Sequence, residues 1–455
     1  MYIFMLFESF FIIRLRIYKR CKSIIEKMIR LEDDLFIIPI ENGNIIYSPL
    51  RRGVFWADDE AASVVHNYLK GYNKANTDTT VYQFLEQLKN MEVKPLFSRS
   101  INDGSKMVVI LSQICNLECS YCYAQEARSK EILDFNKLLI AINHVICSSD
   151  KKKFSLTFIG GGEPLIVWDL IKRAIDYSET IKGEKIISYW ITTNLTLLTE
   201  EILDYAQKYD IRFGVSYEIL KDIQDKQRPF HSSSRSTFDV IHHNIKLLMD
   251  RKIKFNIRST ITNLNVERMP EMARYVGENY PVLRKVHFEP VTDPVINDLD
   301  FYNKYIRYFI EARSVGKEYN LNVYNSISNS VFNIKERFCG GEFCITPTGS
   351  IVTCHRISSN RDSFYDLFHV GDIITSEGIV INDCSLKRYL DFSNQKRDCC
   401  KSCFAYWHCA GICPMERCCL SVKQIESKCI YTQTLVKKIL EEVINTNNTD
   451  LFAYN

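Results

Sequence analysis

The chain has 455 residues, a hydrophobic content of 46% and a formal net charge of +3, so it is long enough for two or three domains with a large core. A charge this close to zero does not indicate a nucleic acid or another polyanion as partner. The 17 cysteines are the unusual feature. No secretory signal peptide is visible, so the cysteines indicate metal binding in a reducing compartment, and we expect the protein in the cytoplasm.

Residues 1–30 join an apolar run to a basic stretch. Met1 to Ile13 is mostly apolar but contains Glu8, and basic residues dominate from Arg14 to Lys22. The run is too short to span a bilayer, and a signal peptide carries its charge before the apolar run. We therefore expect no membrane span. The segment is an N-terminal extension, either a basic amphipathic surface helix or the result of a start assigned upstream of Met28.

Residues 31–98 have the pattern of a small α+β domain. Three short β-prone runs are separated by turn signals, and two amphipathic helix patterns follow, from Glu60 to about Gly71 and from Thr79 to Asn90. This order resembles the leader-peptide recognition domains of peptide-maturing enzymes, which add an extended peptide to a sheet edge. The alternative is a plain cap on the rest of the molecule.

Between residues 105 and 325, strands and helices alternate. The strand candidates are Met107–Ser112, Phe154–Ile159, Ile186–Thr193, Ile211–Ser216, Phe255–Thr262 and Lys285–Phe288. Six β-α repeats predict an α/β fold with a parallel sheet, either open or partly closed as a barrel. In such folds the chemistry lies at the carboxyl ends of the strands.

A three-cysteine loop follows the first of these strands. Cys115, Cys119 and Cys122 have C-x3-C-x2-C spacing, and Tyr123 comes next. A four-iron cluster needs four ligands, so a loop that offers three leaves one iron open for a small molecule. A closed zinc site is the alternative, but it usually has four ligands in two spaced pairs, and this loop contains no histidine. The spacing also differs from that of ferredoxins.

The three-cysteine loop, followed by an aromatic residue, resembles the radical S-adenosylmethionine (SAM) enzymes. After the second strand, Gly160-Gly161-Gly162-Glu163-Pro164 is similar to the G-G-E-P motif of that family, which holds the amino group of SAM. The resemblance implies a partial (β/α)6 TIM-type barrel over 105–325. Cys115, Cys119 and Cys122 would bind a [4Fe-4S] cluster, and Tyr123, Gly161, Gly162 and Glu163 would contribute to the cofactor site.

Further cofactor residues follow from the same resemblance. Ser216 would contact the ribose or amino-acid part of SAM, Arg258 its carboxylate, and Asn194 lies on the same rim. Ordinary hydrogen bonding at strand ends is the alternative for each of them. Many relatives have Ser-x-Asp-Gly after the fourth strand, whereas this chain has Tyr217 and Glu218 after Ser216, a departure that suggests a different substrate.

A second group of cysteines begins at Cys339. The ordered set resembles the SPASM extension of radical SAM enzymes, over about residues 335–435, with residues 436–455 as a C-terminal tail. Zinc is the alternative, because C-x2-C is its commonest pair. The resemblance implies two auxiliary [4Fe-4S] clusters, one on Cys339, Cys354 and Cys413, the other on Cys400, Cys403, Cys409 and Cys429. Cys344 is either a fourth ligand of the first cluster or a buried apolar residue.

The resemblance implies an enzyme that cleaves SAM to a 5′-deoxyadenosyl radical and modifies a precursor peptide, with an external reductant such as flavodoxin or ferredoxin. A thioether or carbon–carbon crosslink is the leading interpretation, and an anaerobic sulfatase maturase, which makes formylglycine, is the rival. Sulfatase maturases carry an Asp where His355 follows Cys354 here, so His355 is a candidate catalytic residue. A noncatalytic electron carrier would explain the cysteines but neither the glycine turn nor the β-α repeats.

Overall fold

The computed structural model describes residues 33–72, 79–93, 101, 105–125, 128–293, 295–331, 333–335 and 337–445, with Thr79 and Ser148 described by their backbone alone. The predicted extension at 1–30 and the last ten residues of the predicted tail lie outside these ranges. None of the helices in the described ranges combines the length and the apolar character that crossing a bilayer requires.

The N-terminal unit is a three-stranded antiparallel sheet with two helices on one face. Its elements are β1 (Phe36–Ile40), β2 (Gly43–Ser48), β3 (Gly53–Ala57), α1 (Asp59–Leu69) and α2 (Thr79–Asn90). β2 lies in the middle of the sheet, so β1 and β3 are its edges. Asp58 caps α1, because its side chain accepts a hydrogen bond from the N–H of Ala61.

The two faces of this small sheet contact different cores. Ile46 and Ala57 pack with apolar residues of α1 and α2. Ile38, Ile45 and Tyr47 belong instead to the main core of the molecule. This alternation along β2 follows from the two-residue period of a strand. The unit is therefore docked on the remainder of the chain, with its helices facing outward.

The central part of the chain alternates strands with helices. Its elements are β4 (Lys106–Val109), α3 (Phe135–Ser148), β5 (Lys153–Phe158), α4 (Trp168–Ile181), β6 (Ile186–Thr193), α5 (Glu200–Lys208), β7 (Arg212–Ser216), α6 (Lys221–Gln227), α7 (Thr237–Asp250), β8 (Phe255–Ile261), α8 (Met269–Asn279), β9 (Lys285–Pro290), α9 (Leu299–Glu318), β10 (Asn322–Tyr324) and α10 (Ser326–Ser330). The strands from β4 to β10 pair in chain order, all parallel. The predicted α/β fold with a parallel sheet is confirmed.

Two features of this sheet differ from the expected six repeats. β10 is a seventh parallel strand, and its three residues are too few to produce a recognisable pattern. At the other end, β4 pairs in parallel with a strand from the cysteine-rich region. The sheet then continues outward to a total of 11 strands with two edges, so it is a partial barrel and not a closed one.

The C-terminal region extends this sheet and then covers it with helices. Its elements are β11 (Cys344–Ile345), β12 (Ser350–Val352), α11 (Tyr365–Phe368), β13 (His369–Ile374), β14 (Gly378–Ile381), α12 (Asp383–Asn394), α13 (Tyr406–Cys409), α14 (Pro414–Cys419) and α15 (Val422–Asn445). The sequence predicts a tail from residue 436, but α15 continues to Asn445. Val436, Ile439 and Leu440 are fully buried, so their packing keeps this segment helical.

One buried polar contact joins the N-terminal sheet to the cysteine-rich region. The hydroxyl of Tyr47 lies 2.5 Å from Nε2 of His408, and Nδ1 of His408 lies 2.9 Å from the carbonyl oxygen of Ser330. Both rings are almost completely buried. Burial lowers the pKa of His408 to about 4, so the imidazole is neutral and can donate to one partner and accept from the other.

Candidate active site

The polar residues predicted from the sequence meet at the carboxyl ends of the parallel strands. The three-cysteine loop follows β4, the glycine turn follows β5, and Asn194 follows β6. Ser216 is the last residue of β7, and Arg258 is its register partner on β8. This edge is where parallel α/β folds place their ligands.

The three thiols lie in a loop that is fixed along its main chain. Cys119 is buried, and Cys115 and Cys122 are half-buried. The N–H groups of Ser120 and Glu118 donate to carbonyl oxygens of the segment 227–231, at 2.9 Å each, and the N–H of residue 231 donates back to Asn116 at 3.0 Å. The loop is thus held in extended conformation beside a neighbouring segment.

The surroundings of the thiols fit an anionic group. Burial raises the pKa of Cys119 to about 11, and the nearby Arg228 guanidinium opposes this rise. The side chains of Arg128 and Arg228 each have a buried Nε atom with no hydrogen-bond partner among the described residues. Thiolates bound to iron would supply the missing negative charge. Cys115, Cys119 and Cys122 are the residues that would hold the cluster.

The glycine turn packs directly on the main chain that leads into the three-cysteine loop. Gly161 adopts a φ of +65°, which favours glycine. A Cβ atom at Gly162 would overlap the carbonyl oxygen of Ile114. The N–H groups of Gly162 and Glu163 donate to the carbonyl oxygens of Ser112 and Ile114, at 3.0 and 2.9 Å. The turn can therefore approach the loop this closely only without side chains.

Glu163 connects the glycine turn to the end of β6. Its buried carboxylate accepts hydrogen bonds from the hydroxyl of Thr193 at 2.6 Å and from the N–H groups of Asn194 and Leu165, at 2.7 and 3.0 Å. Burial raises the pKa of Glu163, and these donors counteract the rise. The side chain predicted to contribute to the cofactor site therefore also has a structural role.

Asn194 connects β6 to the three-cysteine loop. Its side-chain amide donates to Oδ1 of Asn116 at 3.0 Å, and its own Oδ1 accepts from the N–H and the hydroxyl of Thr196, at 2.9 and 2.7 Å. The amide of Asn116 donates in turn to the Thr196 hydroxyl at 2.8 Å. The three side chains form a closed network beside the thiols, so Asn194 positions the loop.

Ser216 and Arg258 begin a row of residues that runs across four strands. Arg258 is paired in register with His287 on β9, which is paired with Tyr324 on β10. The His287 and Tyr324 rings are stacked, with centroids 4.8 Å apart. Arg258 is exposed, and its side chain forms neither a hydrogen bond nor an ion pair with any described residue. Its guanidinium is therefore available to a carboxylate.

His287 and Glu289 were not predicted from the sequence, because a His-x-Glu pair on a strand has no distinctive spacing. Nε2 of His287 lies 2.7 Å from Oε2 of Glu289, which also accepts from the N–H of Ser326 at 2.9 Å. Burial acts to raise the pKa of Glu289, but His287 and Arg258 outweigh it and lower the pKa to about 2. The row thus has a fixed negative charge near the guanidinium of Arg258.

Tyr217 and Glu218 have a different role from the one suggested by the sequence. Both are fully buried, so they do not face a substrate pocket. Tyr217 packs against Phe238 and Tyr280. Glu218 accepts a hydrogen bond from the hydroxyl of Tyr121, which lies inside the three-cysteine loop. The departure from Ser-x-Asp-Gly therefore affects the buried contact between Glu218 and Tyr121 of the three-cysteine loop.

The C-terminal cysteines form two neighbourhoods. Burial raises the pKa of Cys413 to about 12, and Cys339 adds to the rise. Burial also raises the pKa of Cys354, with further contributions from Cys413 and Cys339. Cys344 is fully buried on β11, and Cys354 contributes to the raised pKa of its thiol. The first predicted ligand set and Cys344 therefore lie near one another.

The second neighbourhood contains the other four predicted ligands. Burial raises the pKa of Cys409 to about 12, and the charges of nearby Cys429 and Cys403 add to the rise. Cys400 adds to the burial-raised pKa values of Cys403 and Cys429. Exposed Cys399 also lies in this group. Within the described ranges, no three Cys, His, Asp or Glu side chains converge on a single point as ligands of one metal ion.

His355 lies where the cysteine-rich region meets the glycine turn. Its carbonyl oxygen would be 3.2 Å from a Cβ atom at Gly160, and the next residue, Arg356, lies over the Tyr123 ring at 5.4 Å. Nδ1 of His355 is 2.7 Å from Oε2 of Glu342. Burial acts to raise the pKa of Glu342. The charge of His355, its hydrogen bonds to the carboxylate and the charge of Lys106 together lower the pKa to about 2. An ionised carboxylate only accepts hydrogen bonds, so Nδ1 carries a proton and Nε2 is the ring nitrogen that Glu342 does not contact.

Residues 109–276 match the family described as the radical SAM superfamily. Among curated proteins, the uncharacterized protein MJ0907 of Methanocaldococcus jannaschii is 33% identical over 175 residues, which are 38% of this chain and 59% of that protein. The cysteine-type anaerobic sulfatase-maturating enzyme of Clostridium novyi is 25% identical over 339 residues, covering 68% and 87%. The radical SAM cyclopropyl synthase TigE of Paramaledivibacter caminithermalis is 23% identical over 436 residues, covering 82% and 86%.

Two solved structures share the fold. The anSMEcpe structure with bound AdoMet has a TM-score of 0.63 at 18% identity and covers 76% of this chain and 97% of its own. SuiB of Streptococcus suis bound to precursor peptide SuiA has a TM-score of 0.50 at 14% identity and covers 84% and 95%. At these identities the likeness concerns the fold alone. The sequence match, the thiol loop and the glycine turn lead to one conclusion: residues 109–276 form a radical SAM domain, and the chain that contains it is an enzyme.

Proposed function

We propose that this enzyme modifies a ribosomally made peptide by forming a thioether or carbon–carbon crosslink. The observation that carries the proposal is the N-terminal antiparallel sheet, which has an edge strand on which an extended peptide can pair and which is docked on the cysteine-rich region. The extent of the alignments supports it. The match to TigE spans 82% of this chain, whereas the match to the sulfatase-maturating enzyme spans 68%.

The proposed cofactors are SAM and three [4Fe-4S] clusters. When bound at the three-cysteine loop, the cluster supplies the electron that cleaves SAM to methionine and a 5′-deoxyadenosyl radical. Arg258 and the turn around Gly162 are the proposed contacts of the SAM carboxylate and amino group. The two C-terminal cysteine neighbourhoods would hold the other clusters. An external protein such as flavodoxin or ferredoxin would supply the electrons.

His355 is the proposed proton acceptor. Glu342 fixes its Nδ1, and the N–H of His355 also donates to the same carboxylate oxygen at 3.0 Å. The ring is thereby oriented with Nε2 free to take a proton from the peptide as it loses a hydrogen. The side chain of Gln113, two residues before the three-cysteine loop, donates to the hydroxyl of Ser358 at 2.8 Å, so the His355 segment is anchored to the SAM half.

The leader of the peptide is proposed to pair with β3. The other edge strand, β1, contains Pro39, which has no N–H and interrupts pairing. The main chain of β3 forms no hydrogen bonds to described residues beyond its ladder with β2. Trp56 on β3 is 37% exposed, and its indole N–H donates to the carbonyl oxygen of Asn42 at 2.7 Å. Val54, two residues earlier, is half-buried against the main core and anchors the strand.

Replacing Trp56 by Lys is expected to weaken binding of the precursor peptide about tenfold, because a lysine on an edge strand opposes pairing with another strand. Fluorescence anisotropy of a labelled peptide, encoded by the nearest short cysteine-rich reading frame, measures the affinity. SAM cleavage without peptide should be unchanged. Tyr72→Lys is the matched control, since Tyr72 is a 62% exposed aromatic residue of the same unit outside its strands. Equal affinities in both variants and the parent protein would reduce the unit to a cap.

A single substitution tests peptide binding at β3 better than deletion of the whole N-terminal unit. Ile38, Ile45 and Tyr47 share the main core, so removing residues 31–98 would expose apolar surface and leave Nε2 of His408 buried without its partner. Loss of binding in such a truncated protein could then result from damage to the cysteine-rich region.

The rival function is formylglycine formation, supported by the match to the Clostridium novyi sulfatase-maturating enzyme. Mass spectrometry after anaerobic turnover separates the two functions. With the cysteine-rich peptide we expect a loss of two hydrogens, no aldehyde, and a cysteine that is newly blocked to alkylation if a thioether forms. A synthetic peptide with a sulfatase cysteine motif serves as comparison. Conversion of its cysteine to an aldehyde at a comparable rate would overturn the proposal in favour of the rival.

A further inference from the structure

Two arginines flank the three-cysteine loop. Nη2 of Arg128 lies 3.4 Å from Sγ of Cys122, and Nη1 of the same side chain lies 3.4 Å from the carbonyl oxygen of Leu117. Nη1 of Arg228 donates to the hydroxyl of Tyr121, which is also part of the loop, at 2.8 Å. Both Nε atoms are buried, and neither has a hydrogen-bond partner in the described ranges. Each guanidinium therefore has donor capacity left for an acceptor at the loop.

Arg228 is held against the loop by a second buried residue. Tyr121 donates its hydroxyl hydrogen to Glu218, whose Oε1 lies 3.9 Å from Nη1 of Arg228. Glu218 is anchored to β8, since its other oxygen accepts from the hydroxyl of Ser259 and from the N–H of Thr260, at 2.5 and 3.0 Å. The phenol oxygen of Tyr121 thus separates the guanidinium from the carboxylate and keeps Arg228 beside the thiols.

The main chain around Arg228 also holds this residue against the three-cysteine loop. The carbonyl oxygens of Gln227 and Pro229 accept the loop N–H groups of Ser120 and Glu118, both at 2.9 Å. Arg228 lies between these two contacts, at the end of α6. Its N–H donates to the carbonyl oxygen of Gln224 at 2.9 Å. The arginine therefore cannot move away from the loop without breaking main-chain contacts on both sides.

We propose that Arg228, held in place by Tyr121 and Glu218, is a positioning residue that raises the reduction potential of the cluster bound to Cys115, Cys119 and Cys122. The inference rests on the proposed cluster site. Reduction adds negative charge to a buried anionic group, and a fixed cation in a medium of low dielectric constant stabilises the reduced form. Glu218 by itself would have the opposite effect. The Tyr121 phenol keeps the cation nearer to the thiols than a direct Arg228–Glu218 ion pair would.

The test is an anaerobic redox titration of the reconstituted full-length protein, followed by electron paramagnetic resonance. The signal that changes when SAM is added identifies the cluster of the three-cysteine loop. In Arg228→Gln we expect the ratio of reduced to oxidised cluster at a fixed potential to fall about tenfold, a midpoint shift of about −59 mV for one electron. Arg228→Lys should recover most of the shift because it keeps the charge. Arg251→Gln is the control, since Arg251 pairs with Glu200 and Asp204 on the exposed surface.

Iron content distinguishes a failure of the proposed cluster site from a failure of the proposed role of Arg228. A parent protein with no SAM-sensitive signal would refute the proposed cluster site itself. Full iron content in Arg228→Gln with an unchanged midpoint would overturn the inference alone. If Arg228→Gln does not retain iron, Tyr121→Phe decides. Its midpoint should shift in the same direction by a smaller amount, because Arg228 can then approach Glu218, and an unchanged midpoint would again overturn the inference.

Discussion

Replacing Cys115, Cys119 and Cys122 together by alanine is expected to abolish SAM cleavage and to remove about four of roughly twelve irons per chain. The three thiols lie on one fixed loop, whose entry is hydrogen-bonded to the glycine turn that would hold SAM. The remaining irons should stay, because the C-terminal thiols form separate neighbourhoods. Iron analysis and chromatography of 5′-deoxyadenosine after anaerobic reduction measure both effects.

The control is a double replacement of Cys147 and Cys384 by alanine. Both cysteines are exposed and distant in sequence from the predicted ligands, so iron content and SAM cleavage should stay at the parental level. Residual formation of 5′-deoxyadenosine in the triple variant would contradict the assignment. Zinc in place of iron in anaerobically purified parent protein would contradict it as well.

Replacing Gly162 by alanine is expected to abolish SAM binding and to lower the free energy of unfolding by about 2–3 kcal/mol. The added Cβ would overlap the Ile114 carbonyl group, which is main chain and cannot rotate away. Either the turn or the entry to the three-cysteine loop must shift, and both are proposed parts of the SAM site. Equilibrium dialysis with labelled SAM and chemical denaturation are the measurements.

Gly183→Ala is the matched control for this substitution. Gly183 has a φ of +55°, and a Cβ atom there meets nothing within 4 Å. It should cost about 1 kcal/mol of backbone strain and leave SAM binding unchanged. SAM affinity in Gly162→Ala equal to that of the parent protein would show that the close approach of turn and loop is dispensable.

The elements with strong local patterns were predictable. β6 and α2 were predicted with their observed bounds. β10 was missed because three residues carry no periodicity. The helical continuation of α15 to Asn445 depends on buried contacts with α9, such as the one between Glu442 and Arg313, which sequence patterns do not encode.

In the site, too, local patterns were predictable and long-range contacts were not. Motif spacing identified the thiols and the glycine turn, but it related Glu218 to the substrate, because only the folded chain brings this carboxylate to Tyr121, 97 positions away. Glu342 was missed for a similar reason, since its link to His355 spans 13 positions without a known motif. Residues that act through other residues leave no short-range signal, so sequence reasoning finds the groups that bind but not the groups that orient them.

The pairing of β4 with β11 determines which parts of the molecule can move. The N–H of Val108 donates to the carbonyl oxygen of Phe343 at 2.9 Å, and that of Ile110 donates to Ile345 at 2.8 Å. Lys106 and Glu342 form an ion pair across the same seam at 3.5 Å. A continuous ladder leaves no hinge between the strand that precedes the three-cysteine loop and the strand that carries Cys344. We therefore expect the distance between the three-cysteine loop and Cys344 to change little, and any movement that admits the proposed peptide to occur elsewhere.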